Sequence, residues 1–367
     1  MKYPPFCPNP DCEKHRLRHR ETHWYIKSGF YRTQISGTIK RFKCRLCGRF
    51  SEQTFSIDYW TRRKLPYDYI LKQLKSAAGI RDIARDLKVS TTTIQNRISR
   101  LSRQAIAVHT ELKGSIKLNE DLVADGFESF TVSQYFPNNI HLLAGKDSQY
   151  LYSFDYAHMA RKGRMTDEQK KKNLEKKKTI LGKISITKSF TNICSQIDRL
   201  LENATKKQAV LYTDEKPQYA SVLSLCKFSA PLIHKTINSK APRTLTNDLF
   251  AVNYLDREIR KDNANHVRET VQFSRNVNNT MERMAIYGFY HNYLKPYRIS
   301  PIEKKVHAEV AGIDKKRINS ELKTLFTFRR FYSRIRNLNG ADMRVWLRFF
   351  STPGKTGYEY IPQFAWG

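Results

Sequence analysis

Long apolar runs are missing from this sequence. No stretch of about 18 consecutive apolar residues occurs, which removes a membrane-spanning helix of the usual length, and Met1 to Cys12 hold no apolar signal core. A cytoplasmic protein is the expectation. Acids are scarce as well: 34 Asp and Glu stand against 66 Lys and Arg, a formal charge of +32. Self-repulsion on that scale asks for a polyanionic partner, and nucleic acid fits best. An anionic membrane surface finds no apolar anchor here, and a basic protein that is merely soluble or ribosome-associated is the bland alternative. Cysteine is sparse and uneven. Four of the six fall in two close pairs near the N-terminus while Cys194 and Cys226 stand alone, which argues against a disulfide framework. The lone two read as small buried residues. Gly-rich phosphate loops, nucleophile elbows and internal repeats are absent too, which removes the chemistry and architectures those motifs carry.

At 367 residues, two or three domains are expected. The first spans residues 1–55. Cys7-Pro-Asn-Pro-Asp-Cys12 and Cys44-Arg-Leu-Cys47-Gly48 form two knuckles around a strand-like stretch. Four thiolates so spaced can close a tetrahedron around Zn²⁺, and a segment this short needs the metal to fold, at a contribution on the order of 10 kcal/mol. The expected ligands are Cys7, Cys12, Cys44 and Cys47, in a closed structural zinc ribbon. His15, His19 and His23 are then surface or DNA-facing groups.

Residues 65–112 read as a helix-turn-helix. Pro66 opens a segment with apolar residues at helical spacing: Tyr69, Ile70, Leu74, Ile80, Ile83, Ala84 and Leu87. Gly79 to Leu87 forms the first helix, Lys88-Val89 the turn, and Ser90 to Ile98 the second helix, with Ser90 as N-cap. Side chains near the start of such a helix meet base edges, so Thr92, Gln95, Asn96 and Arg97 are the candidate readers of double-stranded DNA.

From residue 119 the texture changes to strands, over 121–132, 139–145 and 150–155, joined by short turns as in an antiparallel meander. A charged helical stretch follows, then a strand over 208–214, a helix over 219–226, a strand over 231–236 and a helix from Asp248 to Val277. Three strands, helix, strand, helix, strand, helix is the ribonuclease H-like order, a mixed sheet with helices on both faces, expected over 119–295. Asp125 lies within the apolar first strand and Asp214 ends the fourth, its neighbour in this topology. An unpaired aspartate in a buried strand is costly, and a divalent cation with oxygen ligands compensates it. Two such ions roughly 4 Å apart activate a water or a 3′ hydroxyl for in-line attack at phosphorus. The plain alternative is a pair of acids bound to arginine.

A third acid is expected from the helix after the fifth strand, which offers Asp256, Glu258 and Glu269. Val252, Leu255, Ile259 and Val267 define its apolar stripe, and at about 100° per residue Asp256 sits on the border nearest the sheet. A border carboxylate is equally placed to pair with Arg260 one turn on. The expected catalytic and Mg²⁺- or Mn²⁺-binding set is therefore Asp125, Asp214 and Asp256.

Residues 160–188 form a basic insert, with Lys170-Lys171-Lys172 and Lys176-Lys177-Lys178, that reads as a solvated helix or loop for phosphate contact. Residues 296–367 are basic and aromatic. Phe326-Thr327-Phe328-Arg329-Arg330-Phe331-Tyr332 is either core plus surface or a backbone-tracking groove.

These residues resemble insertion-sequence transposases of the InsA-InsB type, in which a zinc ribbon and helix-turn-helix precede a DDE catalytic domain. The likeness covers most of the chain. It rests on the paired cysteines with Phe50 after the second knuckle, the helix-turn-helix, Tyr212-Thr213-Asp214-Glu215, and Arg268-Glu269-Thr270-Val271-Gln272-Phe273-Ser274-Arg275. It implies cleavage at transposon ends and joining of the freed 3′ ends to target DNA with Mg²⁺ or Mn²⁺, on the nucleoid, by a dimer or larger assembly that synapses two DNA ends. Asp125 and Asp214 match the first two acids. The third departs from the pattern: counting back from Arg268-Glu269-Thr270, the family's glutamate falls on Asn253, with Asp256 one turn later. Either Asp256 takes the role, the register is shifted, or the element is inactive. A single unbroken reading frame is a further departure. A ribonuclease H-like nuclease without strand transfer, or a non-catalytic DNA-binding regulator, are the alternatives.

Overall fold

The computed structural model describes residues 4–17, 23–266, 271–298 and 304–355, with the isolated positions 357, 359, 361 and 365. Those residues form a mixed α/β fold with two sheets and eleven α-helices.

The first sheet is N-terminal: β1 (Tyr25–Thr33), β2 (Gly37–Cys44) and β3 (Gly48–Ser51) run antiparallel in that order. Gly37 and Gly48 adopt φ of 65° and 134° at the two turns, which glycine does without steric cost. The apolar face is thin, with Trp24, Tyr25 and Phe42 beside three of the cysteines. A second small cluster joins Phe6 and Phe55 to Phe331 from the C-terminal region. The ribbon therefore leans on residues some 280 positions away, counting from Phe50 to Phe331, in addition to its own core.

Next come α1 (Tyr67–Leu74), α2 (Ile80–Asp86) and α3 (Thr91–Lys113). Ser90 is the N-cap expected of it, its Oγ accepting from the Thr93 N–H at 3.2 Å. The second helix runs on past Ile98, because Leu101, Ala105, Val108 and Leu112 keep helical spacing. Its first half packs on Ile70, Leu74 and Ile83, and its second half enters the core of the larger sheet.

That sheet holds β4 (Leu122–Phe130), β5 (Pro137–Gly145), β6 (Leu151–His158), β7 (Ala209–Asp214) and β8 (Leu232–Ile237), ordered β6-β5-β4-β7-β8. The meander β4-β5-β6 is antiparallel, and β7 and β8 join it parallel to β4. Between and after the strands lie α4 (Asp167–Lys177), α5 (Ile186–Leu201), α6 (Pro217–Leu225), α7 (Phe250–Asp262) and α8 (Val277–Tyr293). The period-2 alternation of β4 sorts them into faces. Leu122 and Ala124 meet α5 and α6 through Phe190, Ile197, Tyr219 and Val222. Val123 and Phe127 meet α7 and α8 through Val252, Leu255, Ile259 and Met284.

The helix expected from Asp248 to Val277 is two helices. α7 stops at Asp262, where Asn263 caps it and a single 3-10 turn follows over Ala264–His266; α8 starts afresh at Val277. Asp262, Asn263 and Asn265 favour caps and turns over helix interiors, and they outweigh the apolar periodicity around them. Val267, Arg268, Glu269 and Thr270 lie outside the described residues.

The remaining helices are α9 (His307–Val310), α10 (Lys315–Leu325) and α11 (Gly340–Trp346). Here the ring-and-cation string resolves as core with internal pairing. Phe331 is buried, Arg329 is buried over the rings of Tyr59 and Phe331, and Arg330 pairs with Glu321 at 2.5 Å. Among the described residues no helix is long and apolar enough to cross a membrane.

Candidate functional site

The N-terminal knuckles bring four sulfurs together. Cys7, Cys12, Cys44 and Cys47 place their Sγ atoms within 4.8 Å of one another, with Cys7 to Cys47 at 3.3 Å and Cys12 to Cys44 at 3.8 Å. Thiolates bound to zinc at ~2.3 Å stand about 3.8 Å apart on a tetrahedron, so this quartet can hold zinc without rearranging its backbone. Burial pushes the Cys7 thiol up, a cost that a bound cation reverses. The nearby histidines differ from expectation. His15 is buried, its Nδ1 2.7 Å from the Cys7 carbonyl oxygen and its Nε2 2.8 Å from Ser333 Oγ, so it ties the first knuckle to the C-terminal region and is no surface group. His23 is exposed, and His19 lies outside the described residues.

In the helix-turn-helix, Thr92 and Asn96 are exposed along the start of α3, as base readers must be. The other two candidates are engaged within the protein. Gln95 Nε2 donates to Glu282 Oε2 at 2.8 Å, and that carboxylate also binds Arg348 at 2.6 Å. Arg97 is buried and donates to the Arg63 carbonyl at 2.7 Å. Exposed cations line an opening at the start of α3 with Ser90 and Thr91: Arg81, Arg85 and Lys88.

The three aspartates share one face of the larger sheet. β4 and β7 pair in parallel at Leu122 with Leu211 and Val123 with Tyr212, and carrying that register forward by two residues sets Asp125 level with Asp214. Asp125 has the parity of Val123 and Phe127, and Asp214 that of Tyr212, so both point toward the α7 face, where α7 presents Asp256 beside Leu255. Carboxyl ends of parallel strands at such a switch in strand order are where open α/β sheets gather ligands.

Their electrostatics agree with this placement. Burial first, and then the charge of Asp214, raise Asp125 from 3.8 to about 6. Burial and then the charge of Asp125 raise Asp256 to about 7. Lys216 and Arg243 pull Asp125 down, and Arg260 and Arg243 pull Asp256 down, but less strongly. Among the described residues none of the three acids forms an ion pair. Asp125 Oδ1 accepts only the Gly126 N–H, at 2.6 Å, and Asp214 Oδ1 the Lys216 N–H, at 3.3 Å.

The rival pairings go elsewhere. Arg260 reaches the Glu128 carbonyl at 3.0 Å and lies over the Phe127 ring, 4.5 Å from its centroid. Glu258, a rival third acid, is bound by Lys295 and, at 3.1 Å, by Lys261, which hold it below its ordinary range. Glu269 lies outside the described residues. A buried acid with a purely structural role looks different here: Asp155 on β6 accepts from Arg344 at 2.6 Å, Asn192 at 2.7 Å and the Tyr156 N–H at 2.9 Å. Asp125 feels the charge of Asp214 and Asp256 that of Asp125, but the trio is wider than the cysteine quartet. Among the described residues only the cysteines form a group of three or more with all ligand atoms within 4.8 Å.

Sequence reading missed the cations at this site. Lys216, two residues past Asp214, acts on Asp125, and Arg243, on the loop between β8 and α7, acts on both Asp125 and Asp256. Their only advance signal was closeness in sequence to an acid-bearing element. The basic insert forms α4, whose lysines are exposed. No protein-family model matches the chain, and no curated protein matches it.

Proposed function

We propose that this chain is a DNA transposase of the DDE or DDD type, built from a zinc ribbon, a helix-turn-helix and a ribonuclease H-like catalytic domain, that cuts at the ends of an insertion sequence and joins them to target DNA. One observation carries the reading: Asp125 and Asp214 on the sheet and Asp256 on the helix covering that face come from three separate stretches of chain, half-buried, with Asp125 raised by Asp214 and Asp256 by Asp125, and among the described residues no cationic side chain is paired to any of them. Carboxylates kept in that state lack a directly paired counter-charge, and a divalent cation with oxygen ligands supplies one.

Asp125, Asp214 and Asp256 would hold Mg²⁺ or Mn²⁺. The bound ion supplies Lewis-acid activation of a water or 3′ hydroxyl and charge relief on the leaving oxygen. The chain's own residues do the rest. Lys216 and Arg243 draw the scissile phosphate toward the acids, and the lysines of α4 hold flanking backbone without reading sequence. Thr92 and Asn96 meet base edges, with Arg81, Arg85 and Lys88 on adjacent phosphates. Zinc on the four cysteines keeps the ribbon folded.

Asp125→Ala and Asp214→Ala are expected to abolish Mg²⁺-dependent cleavage of DNA while leaving DNA affinity within about twofold. Cleavage retained in either variant discards the catalytic assignment and leaves a DNA-binding regulator. Inverted terminal repeats and a short target duplication flanking the gene are expected; cleavage without them indicates a nuclease that does not transfer strands.

A further inference from the structure

Past α7 the chain folds back against the helix-turn-helix, and between them lies a cavity of about 570 Å³. Among the described residues four arginines line it, Arg81, Arg85, Arg275 and Arg283, with one carboxylate, Asp82. Asp82 is already occupied: Arg85 pairs with it, and the Gly79 N–H donates to its Oδ2 at 3.2 Å. Arg275 is exposed, its guanidinium 5.2 Å from the Phe273 ring centroid.

Two buried groups face this space without protein partners. Arg283, on α8, is only 9% exposed, and among the described residues no carboxylate or hydrogen-bond acceptor meets its guanidinium. Burial alone lowers it, to about 10. Asn265 is 7% exposed, and both its amide nitrogen and its amide oxygen are buried without a hydrogen bond. Unpaired buried charge and unpaired buried amide are each unfavourable, and both residues line the same cavity. An oxyanion can accept from the planar guanidinium fork and from the amide NH₂, leaving the amide oxygen to another donor.

A second opening, of about 750 Å³, is lined by Arg81, Arg85, Lys88, Ser90 and Thr91. It shares Arg81 and Arg85 with the cavity, so the two openings adjoin along α2.

We infer that this cavity is a phosphate-binding site, held chiefly by Arg283, Asn265 and Arg275. Resting on the DNA-binding reading above, its occupant is a backbone phosphate of the duplex engaged by α3, so that the helix-turn-helix and the carboxylate-bearing domain grip one strand through a shared pocket.

The test uses the full-length, zinc-loaded chain with a 20-base-pair duplex and, separately, inorganic phosphate as probes. The variants are Arg283→Gln, Arg283→Lys and the exposed Arg275→Ala. Arg283→Gln and Arg275→Ala are each expected to reduce the slope of log affinity against log salt by roughly 0.9, the loss of one phosphate contact, with Arg283→Lys between them and the parent chain. Inorganic phosphate is expected to raise the melting temperature of the parent chain over chloride of equal ionic strength, and to do so less in Arg283→Gln. Folded Arg275→Ala and Arg283→Gln proteins with the parent salt slope and the parent phosphate response overturn the inference while leaving DNA binding intact. An Arg283-dependent response to inorganic phosphate in a parent chain that binds no duplex keeps the pocket, assigns it to a free phosphate compound, and overturns the transposase reading instead. Should Arg283→Gln not fold, an unchanged salt slope in Arg275→Ala is enough to overturn the pocket.

Discussion

Asp256→Asn isolates what the carboxylate site does to its own protein. Burial and the Asp125 charge lift Asp256 from 3.8 to about 7, which at about 1.36 kcal/mol per pH unit corresponds to roughly 4 kcal/mol. That is an upper figure, because a half-buried carboxylate keeps some contact with water; about 2–4 kcal/mol is the working range. The native state holds the Asp256 proton more tightly than the unfolded chain does. Native stability therefore falls as pH rises from the unfolded value of 3.8 through 7, and the whole penalty is present above 7. Asparagine carries no such penalty. With zinc present and magnesium withheld, Asp256→Asn is expected to melt about 4–8 °C above the parent chain at pH 8, at roughly 2 °C per kcal/mol for a large domain, and level with it near pH 4. Magnesium at pH 8 should raise the melting temperature of the parent chain and not that of the variant. A variant no more stable at pH 8, or a gain independent of pH, refutes the picture of an uncompensated acid.

Other outcomes follow from other parts of the molecule. Cys44→Ser, or removal of zinc by a chelator, is expected to unfold residues 1–55 and release zinc, one ion per chain by elemental analysis, since metal supplies on the order of 10 kcal/mol there. Asn96→Ala should change sequence preference in a DNA-binding assay by about 1–3 kcal/mol at one base position, whereas Arg97→Ala should lower the melting temperature and leave preference unchanged. Arg344→Ala strands the buried Asp155 carboxylate and is expected to cost about 3–5 kcal/mol in denaturant unfolding, the opposite sign to Asp256→Asn.

The strands, their order and the two strand acids were legible because β-branched and aromatic runs bounded by turn residues leave few other readings, and an aspartate inside such a run has no local partner. The cysteine quartet was legible because its ligands come in pairs close in sequence. What escaped depends on contacts between distant residues. Nothing near Arg97 announces that the Arg63 carbonyl will bury it, nor does the sequence around Gln95 point to Glu282, 187 positions on. His15 is fixed by Ser333, 318 positions away. The single long helix over Asp248 to Val277 failed for a local reason: its apolar stripe continues through Asn263, and the preference of asparagine for caps settles the break. The position of Asp256 was legible in part. Periodicity placed Asp256 at the stripe border, but only the Lys295 and Lys261 pairings of Glu258 remove its neighbour from contention.

Manganese binding to the zinc-loaded chain at pH 8 tests the shared-cation claim most directly, read by titration calorimetry and by the electron spin resonance of the bound ion. The account predicts saturable Mn²⁺ binding by the parent chain that is lost in Asp125→Ala, Asp214→Ala and Asp256→Asn while the cysteine-bound zinc stays in place. Equal Mn²⁺ binding in all four proteins contradicts it.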